Sequence, residues 1–91
     1  MRRFLPTLST LQAFEAAARQ LSFTKAAEDL GITQSAISRQ IKNLEEFLGI
    51  QLFERYGSRV VLTDAGKAYA ETIHAAIDKL EIASIDIVRG R

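Results

Sequence analysis

The stretch Ser22–Leu48, SFTKAAEDLGITQSAISRQIKNLEEFL, parses as two helices joined by a tight turn. Ser22 caps a short helix over Phe23–Leu30, with Phe23, Ala26, Ala27 and Leu30 facing inward. The small Ala26 and Ala27 allow a second helix to approach closely. Gly31 stops the helix, since glycine takes the left-handed conformation at no steric cost. Ile32 is expected to plug the turn, and Thr33 caps a third helix that runs to about Leu48. Ile37, Ile41, Leu44 and Leu48 recur at steps of four, three and four and form its apolar stripe. Gln34, Ser35, Ser38, Arg39 and Lys42 occupy another face, and the acids Glu45 and Glu46 come only in the last turn. Gly49 ends the helix, with Ile50 expected to fold back on Leu44. Two capped helices around a short glycine-containing turn match a helix-turn-helix.

Upstream, Arg2 and Arg3 open an irregular lead that ends at Pro6. A first helix is predicted to start near Ser9, which has capping-box spacing to Gln12. Leu11, Phe14, Ala18 and Leu21 form its inward face. Downstream the period changes. Gln51–Arg55 and Arg59–Leu62 read as short strands around a Tyr56-Gly57-Ser58 tip. Two such strands are marginal alone and must lean on the helices. The helical period returns after Thr63 and holds to Gly90. Ala70, Ile73, Ile77, Leu80, Ser84 and Ile87 make a heptad seam about three repeats long, with Ile82, Ile85 and Val88 on another side. A helix apolar on two sides is expected to bury one side against a second copy of the chain and the other against the domain or a missing neighbour.

The expected architecture is therefore mainly α: a three-helix core with a two-stranded wing, followed by a long dimerisation helix. A winged helix-turn-helix domain is assigned to 1–63, with the helix-turn-helix at about 23–42 and the wing at about 51–62. The linker helix takes 64–91.

The chain has 91 residues, 47% of them hydrophobic, and a net charge of +1, which suits one folded domain rather than a disordered polycation. Residues 1–63 carry eight Lys/Arg against six Asp/Glu, so any attraction to a polyanion has to be local. With no cysteine there is no disulfide or thiolate metal site. The N-terminal lead lacks the apolar run of a signal peptide, and no membrane span is predicted. His74 is the one histidine and has no partner at metal-ligand or catalytic spacing. Neither a phosphate-binding glycine loop nor a paired-carboxylate site is evident, so an enzyme is not expected.

The candidate chemistry lies on the third helix. A major groove accepts one helix, whose N-terminal residues contact base edges. Gln34 suits adenine, Arg39 guanine, Ser35 and Ser38 either role, and Lys42 a phosphate. Ser22 and Thr24 begin the helix that crosses the backbone, where hydroxyls and N–H groups meet phosphate. Arg55 and Arg59 bracket the wing tip with Ser58 between them, placed for backbone or minor-groove contact. The bland alternatives are a solvated polar face and two solubilising arginines. A winged helix can also serve as a protein-interaction module. The third-helix face lacks the aromatic anchors such a surface favours.

LQAFEAAARQLSFTKAAEDLGITQSAISRQIKNLEEFLGIQLFER and the later LTDAG strongly resemble the DNA-binding region of LysR-type transcriptional regulators. Within that family the opening resembles the branch of the glycine-cleavage activator and the β-lactamase-inducing regulator. The resemblance covers about Leu8 to Ala70. It implies DNA contacts at Thr33, Gln34, Ser35, Ser38, Arg39 and Lys42, and from the wing at Arg55 and Arg59. It also implies antiparallel pairing of linker helices in a homodimer on partly palindromic promoter DNA, with a tetramer in a full-length protein. RNA polymerase is a further implied partner, and the cytoplasm of a bacterium the implied location. No cofactor is expected for this chain. A small-molecule effector is implied only for a C-terminal effector-binding domain that the sequence does not contain.

Overall fold

The computed structural model describes residues 5–56 and 59–90. Arg2, Arg3 and Gly57, named above, and the candidate Ser58 lie outside the described residues. Four helices and one hairpin follow in the order α1 (Leu8–Gln20), α2 (Phe23–Leu30), α3 (Gln34–Leu48), β1 (Phe53–Tyr56), β2 (Arg59–Leu62) and α4 (Asp64–Arg89). Helices α1, α2 and α3 pack on one another, and the start of α4 returns to α1. The 26-residue α4 gives the chain its long dimension of 50 Å.

Polar side chains start each helix. The Thr33 hydroxyl accepts from the Ala36 N–H at 3.1 Å, and Ser22 accepts from Lys25 at 3.1 Å. Thr63 caps α4 through Gly66 at 3.0 Å. The start of α1 differs from expectation. Thr7, not Ser9, is the cap, accepting from the Thr10 N–H at 3.2 Å. Thr7 has the extended backbone a cap needs, while Ser9 is already helical and its hydroxyl accepts from Gln40 on α3.

Gly31 and Gly49 end α2 and α3 at φ +67° and +73°. Beyond each, one more N–H reaches back into the helix: Ile32 to the Ala27 carbonyl and Ile50 to that of Glu45. Four expected burials do not occur. Leu21 sits at the left-handed cap of α1 (φ 50°) and is 47% exposed, because the chain has already left the α1 face to start α2. Leu30 and Ile32 flank the Gly31 stop and are exposed, as the short α2 buries only Phe23, Ala26 and Ala27. Ile50 is also exposed, bordering a shallow apolar groove with Leu48, Leu52 and Ala65 instead of covering Leu44.

The core is built around Phe14, Ile37, Leu44 and Leu52, all fully buried, with small alanines between the helices. Phe14 contacts Phe53 at 5.6 Å and Tyr69 at 5.4 Å between ring centroids, and Phe53 meets Phe23 edge-on at 5.4 Å. These rings join α1, α2, the wing and α4. Such offset and edge-on geometries suit the ring quadrupoles.

The predicted heptad seam divides in two. Ile73 is buried in the domain's own core, with Ala70 and Ile77 half-buried against it. Ile73 therefore has almost no surface left to offer a second copy. Leu80, Ser84 and Ile87 are exposed, together with Ile82, Ile85 and Val88. The physical reason is that α4 leaves the domain after about Ile77, so one continuous stripe meets two environments.

Candidate nucleic-acid interface

Gln34, Ser35, Arg39 and Lys42 are exposed and Ser38 is half-buried along α3. The opposite side is buried through Ile37, Ile41 and Leu44, so the polar face is held outward by the core. Gln40 accepts from the Thr10 hydroxyl at 2.6 Å and donates to Ser9 at 3.4 Å, which ties α3 to α1 away from that face. Among the described residues, Arg39, Lys42 and Arg59 form no ion pair. Their charge is therefore not neutralised internally.

The turn brings several candidates together. The Thr24 hydroxyl donates to the Gln34 amide oxygen at 3.2 Å, joining the starts of α2 and α3. Thr33 and Ser35 share a hydroxyl hydrogen bond at 3.2 Å. Ser22 and Thr33 use their oxygens as caps, and each O–H can still donate outward.

The wing arginines separate. In the antiparallel hairpin Arg55 pairs with Val60, and Tyr56 with Arg59. Successive residues of a strand point to opposite faces. Arg55 thus shares a face with Phe53, Val60 and Leu62, and Arg59 lies on the other with Tyr56 and Glu54. Arg55 places its guanidinium 4.8 Å from the centre of the Phe23 ring. With Ser38 and Lys42 it borders a cleft of about 440 Å³ between α3 and the wing. Arg59 is exposed on the outer face.

Glu45, by sequence only an acid in the last turn of α3, is a positioning residue. Its carboxylate accepts from the backbone N–H groups of Leu52 at 2.7 Å and Phe53 at 3.1 Å. Its own carbonyl accepts from Gly49 and Ile50. One residue thereby folds the chain from α3 into β1. A Glu one helical turn before the Gly49 stop was the only sequence signal for this.

A second polar cluster joins α1, α2 and α4. Glu15 contacts His74 at 3.1 Å and Arg19 at 3.4 Å, and Arg19 reaches Asp29 at 3.1 Å. Hydrogen bonds from Gln20 and from Arg19 hold the Asp29 carboxyl below the usual aspartate range. His74 and Asp29 are exposed, so these contacts add little stability.

The family model for the bacterial regulatory helix-turn-helix protein, lysR family, matches residues 8–67. The chain is 51% identical over 84 residues to the glycine cleavage system transcriptional activator homolog of Haemophilus influenzae, covering 92% of this chain and 28% of that protein. It is 46% identical over 80 residues to the HTH-type transcriptional activator AmpR of Providencia stuartii, covering 88% and 27%. The chain thus spans less than a third of these relatives' length. The crystal structure of the BenM_DBD/benA site 1 DNA complex superimposes with a TM-score of 0.85 at 37% identity, covering 94% of this chain and all of that one. The match over most of the chain, in sequence and in fold, places the protein in the lysR family of bacterial regulatory helix-turn-helix proteins.

Proposed function

We propose that this chain is the DNA-binding unit of a lysR-family transcriptional regulator and reads double-stranded promoter DNA sequence-specifically as a dimer. The observation that carries this reading is the outward face of α3. Gln34, Ser35, Arg39 and Lys42 stand exposed there, with two cations free of ion pairs among the described residues. The similarity to a chain whose crystal structure is a DNA complex supports it. Gln34, Ser35, Ser38 and Arg39 contact base edges, while Lys42, Arg55, Ser22, Thr24 and Thr33 hold the backbone. Arg59 reaches DNA from the other face of the wing, and Ser58, which precedes it in the sequence, is a further candidate contact.

Residues 1–63 form the reading domain and 64–91 the linker in this proposal. Leu80, Ser84 and Ile87 bury against a second α4, with Ala70, Ile73 and Ile77 anchoring that helix to its own domain. An apolar groove of about 300 Å³ between α1 and α4, lined by Leu8, Leu11 and Leu80, extends this surface. Each α3 then reads half of a partly palindromic site. The proposal extends, for a full-length regulator, to tetramer formation, effector sensing through a further domain and contact with RNA polymerase. No described helix is long and apolar enough to cross a membrane, which agrees with action on DNA in the bacterial cytoplasm.

The test is binding to a duplex selected from a random library, against a scrambled duplex, over a range of salt. Counterion release gives a steep inverse dependence on salt for both, with tighter binding to the selected site. Arg39→Ala costs about 1–3 kcal/mol on the selected site and little on the scrambled one. Equal losses on both would make Arg39 a backbone contact. Salt-independent binding would remove the DNA reading altogether.

A further inference from the structure

We infer that Phe23 is a positioning residue for DNA binding: its ring holds the Arg55 guanidinium over the cleft beside α3. This rests on the reading above, in which Arg55 touches DNA. The guanidinium lies 4.8 Å from the ring centre, within the range where a cation is attracted to an aromatic face. Phe23 is itself fixed. It is 6% exposed, is the first residue of α2, and packs edge-on against Phe53 at 5.4 Å. Phe53 is fixed in turn, because its N–H is held by Glu45 at 3.1 Å.

The kind of contact matters as much as its place. Glu45 is the one carboxylate bordering the cleft, and two backbone N–H groups occupy its Oε2. Among the described residues Arg55 forms no ion pair. A carboxylate would orient Arg55 by consuming its donors and its charge. A ring beneath the guanidinium orients it and leaves the in-plane N–H donors free for an anion. The long arginine side chain then loses less rotamer freedom when it meets a phosphate. Lys42 borders the same cleft, so two cations assigned to the DNA backbone lie side by side there. Arg59 lies on the far face of the hairpin and, among the described residues, makes no such ring contact.

The test replaces Phe23 with mono-, di- and trifluorophenylalanine, which nearly keep the shape of the ring and progressively weaken its attraction for a cation. Affinity for the selected duplex is measured in the wild-type background and with Arg55→Ala. Fluorination is expected to weaken binding stepwise, reaching about two- to fivefold with the trifluoro ring, and to do nothing once Arg55 is gone. Phe23→Leu in the same two backgrounds, with thermal melts to verify folding, is the second variant and should show the same dependence on Arg55. Equal losses in both backgrounds would overturn the inference and leave Phe23 a core residue only. So would an unchanged affinity on fluorination while Arg55→Ala still weakens binding. If Arg55→Ala itself has no effect, the assignment of Arg55 to DNA fails, and the inference falls with it.

Discussion

Gly66→Ala is the most demanding perturbation of this fold, because two opposing effects act at one atom. Gly66 lies in the first turn of α4, and alanine there is a better helix former, by up to about 1 kcal/mol. Against this, a Cβ on Gly66 would sit 2.1 Å from the Leu52 carbonyl oxygen and 3.0 Å from both the Leu52 carbonyl carbon and Leu62 Cδ2. The oxygen belongs to backbone that cannot swing aside alone. It accepts from the Thr63 N–H at 3.0 Å, and the Leu52 N–H is held by Glu45 at 2.7 Å. Relieving the clash means moving the segment that enters the wing, or moving the start of α4. Overpacking of this kind costs about 1–3 kcal/mol. Weakening the Thr63 hydrogen bond adds about 1 kcal/mol. The net expectation is a loss of about 1–3 kcal/mol, which lowers Tm by roughly 5–20 °C for a domain of this size.

The assay is thermal unfolding at fixed protein concentration, since self-association shifts Tm by mass action. Gly31→Ala is the matched control. A Cβ there meets nothing within 4 Å, and only the φ of +67° opposes it, at a cost of about 1 kcal/mol. A Tm for Gly66→Ala at or above wild type would refute the reasoning, because it would mean that Leu52 yields freely. A greater loss from Gly31→Ala than from Gly66→Ala would refute the ranking of the two effects.

Glu45→Ala is expected to destabilise the protein by about 2–3 kcal/mol, as it strands two part-buried backbone N–H groups, with Glu45→Gln milder; urea unfolding measures both. Asp29 has its folded pKa lowered by hydrogen bonds from Gln20 and Arg19. Its contribution is therefore complete above the ordinary aspartate value of about 4 and fades as pH falls through the lower folded value. The small stability gap between wild type and Asp29→Asn should be constant near neutral pH and shrink in acid; a gap that widens there reverses the sign. Leu80→Asp with Ile87→Asp should weaken self-association in sedimentation without changing the monomer's melting, since both side chains are exposed in the single chain. An unchanged dimer would move the interface elsewhere.

The helices were legible because their signals are local. Ser22, Thr33 and Thr63 cap them through hydrogen bonds three residues ahead, and Gly31 and Gly49 stop them through their own backbone angles. The outward face of α3 was legible for the same reason. Burying Ile37, Ile41 and Leu44 fixes by helical period where Gln34, Arg39 and Lys42 must point. The misplacement of the α1 cap was also local. Ser9 and Thr7 both precede an apolar run, and Gln12 favoured the wrong one, while the Thr7 hydroxyl closes on Thr10. Leu21, Leu30 and Ile32 failed differently. Periodicity treats every apolar residue near a helix end as core, but the chain turns away before reaching them.

By itself, then, the sequence determined the capped helices, the polar face of α3, the hairpin that follows and the long apolar helix after it. Each depends on residues a few positions apart. Tertiary structure alone decided how distant residues meet. It gave Ile73 to the domain's own core and left Leu80 and Ile87 outside. It put Arg55 and Arg59 on opposite faces of the wing and seated Arg55 on Phe23, 32 positions away in the chain. It made Glu45 the fastener of the wing, and Gly66 a necessity where α4 crosses the Leu52 carbonyl. The spacing of like residues along a chain carries helical phase, but not which segment will lie against which. That is set by how α1, the wing and α4 close around Phe14 and Leu52.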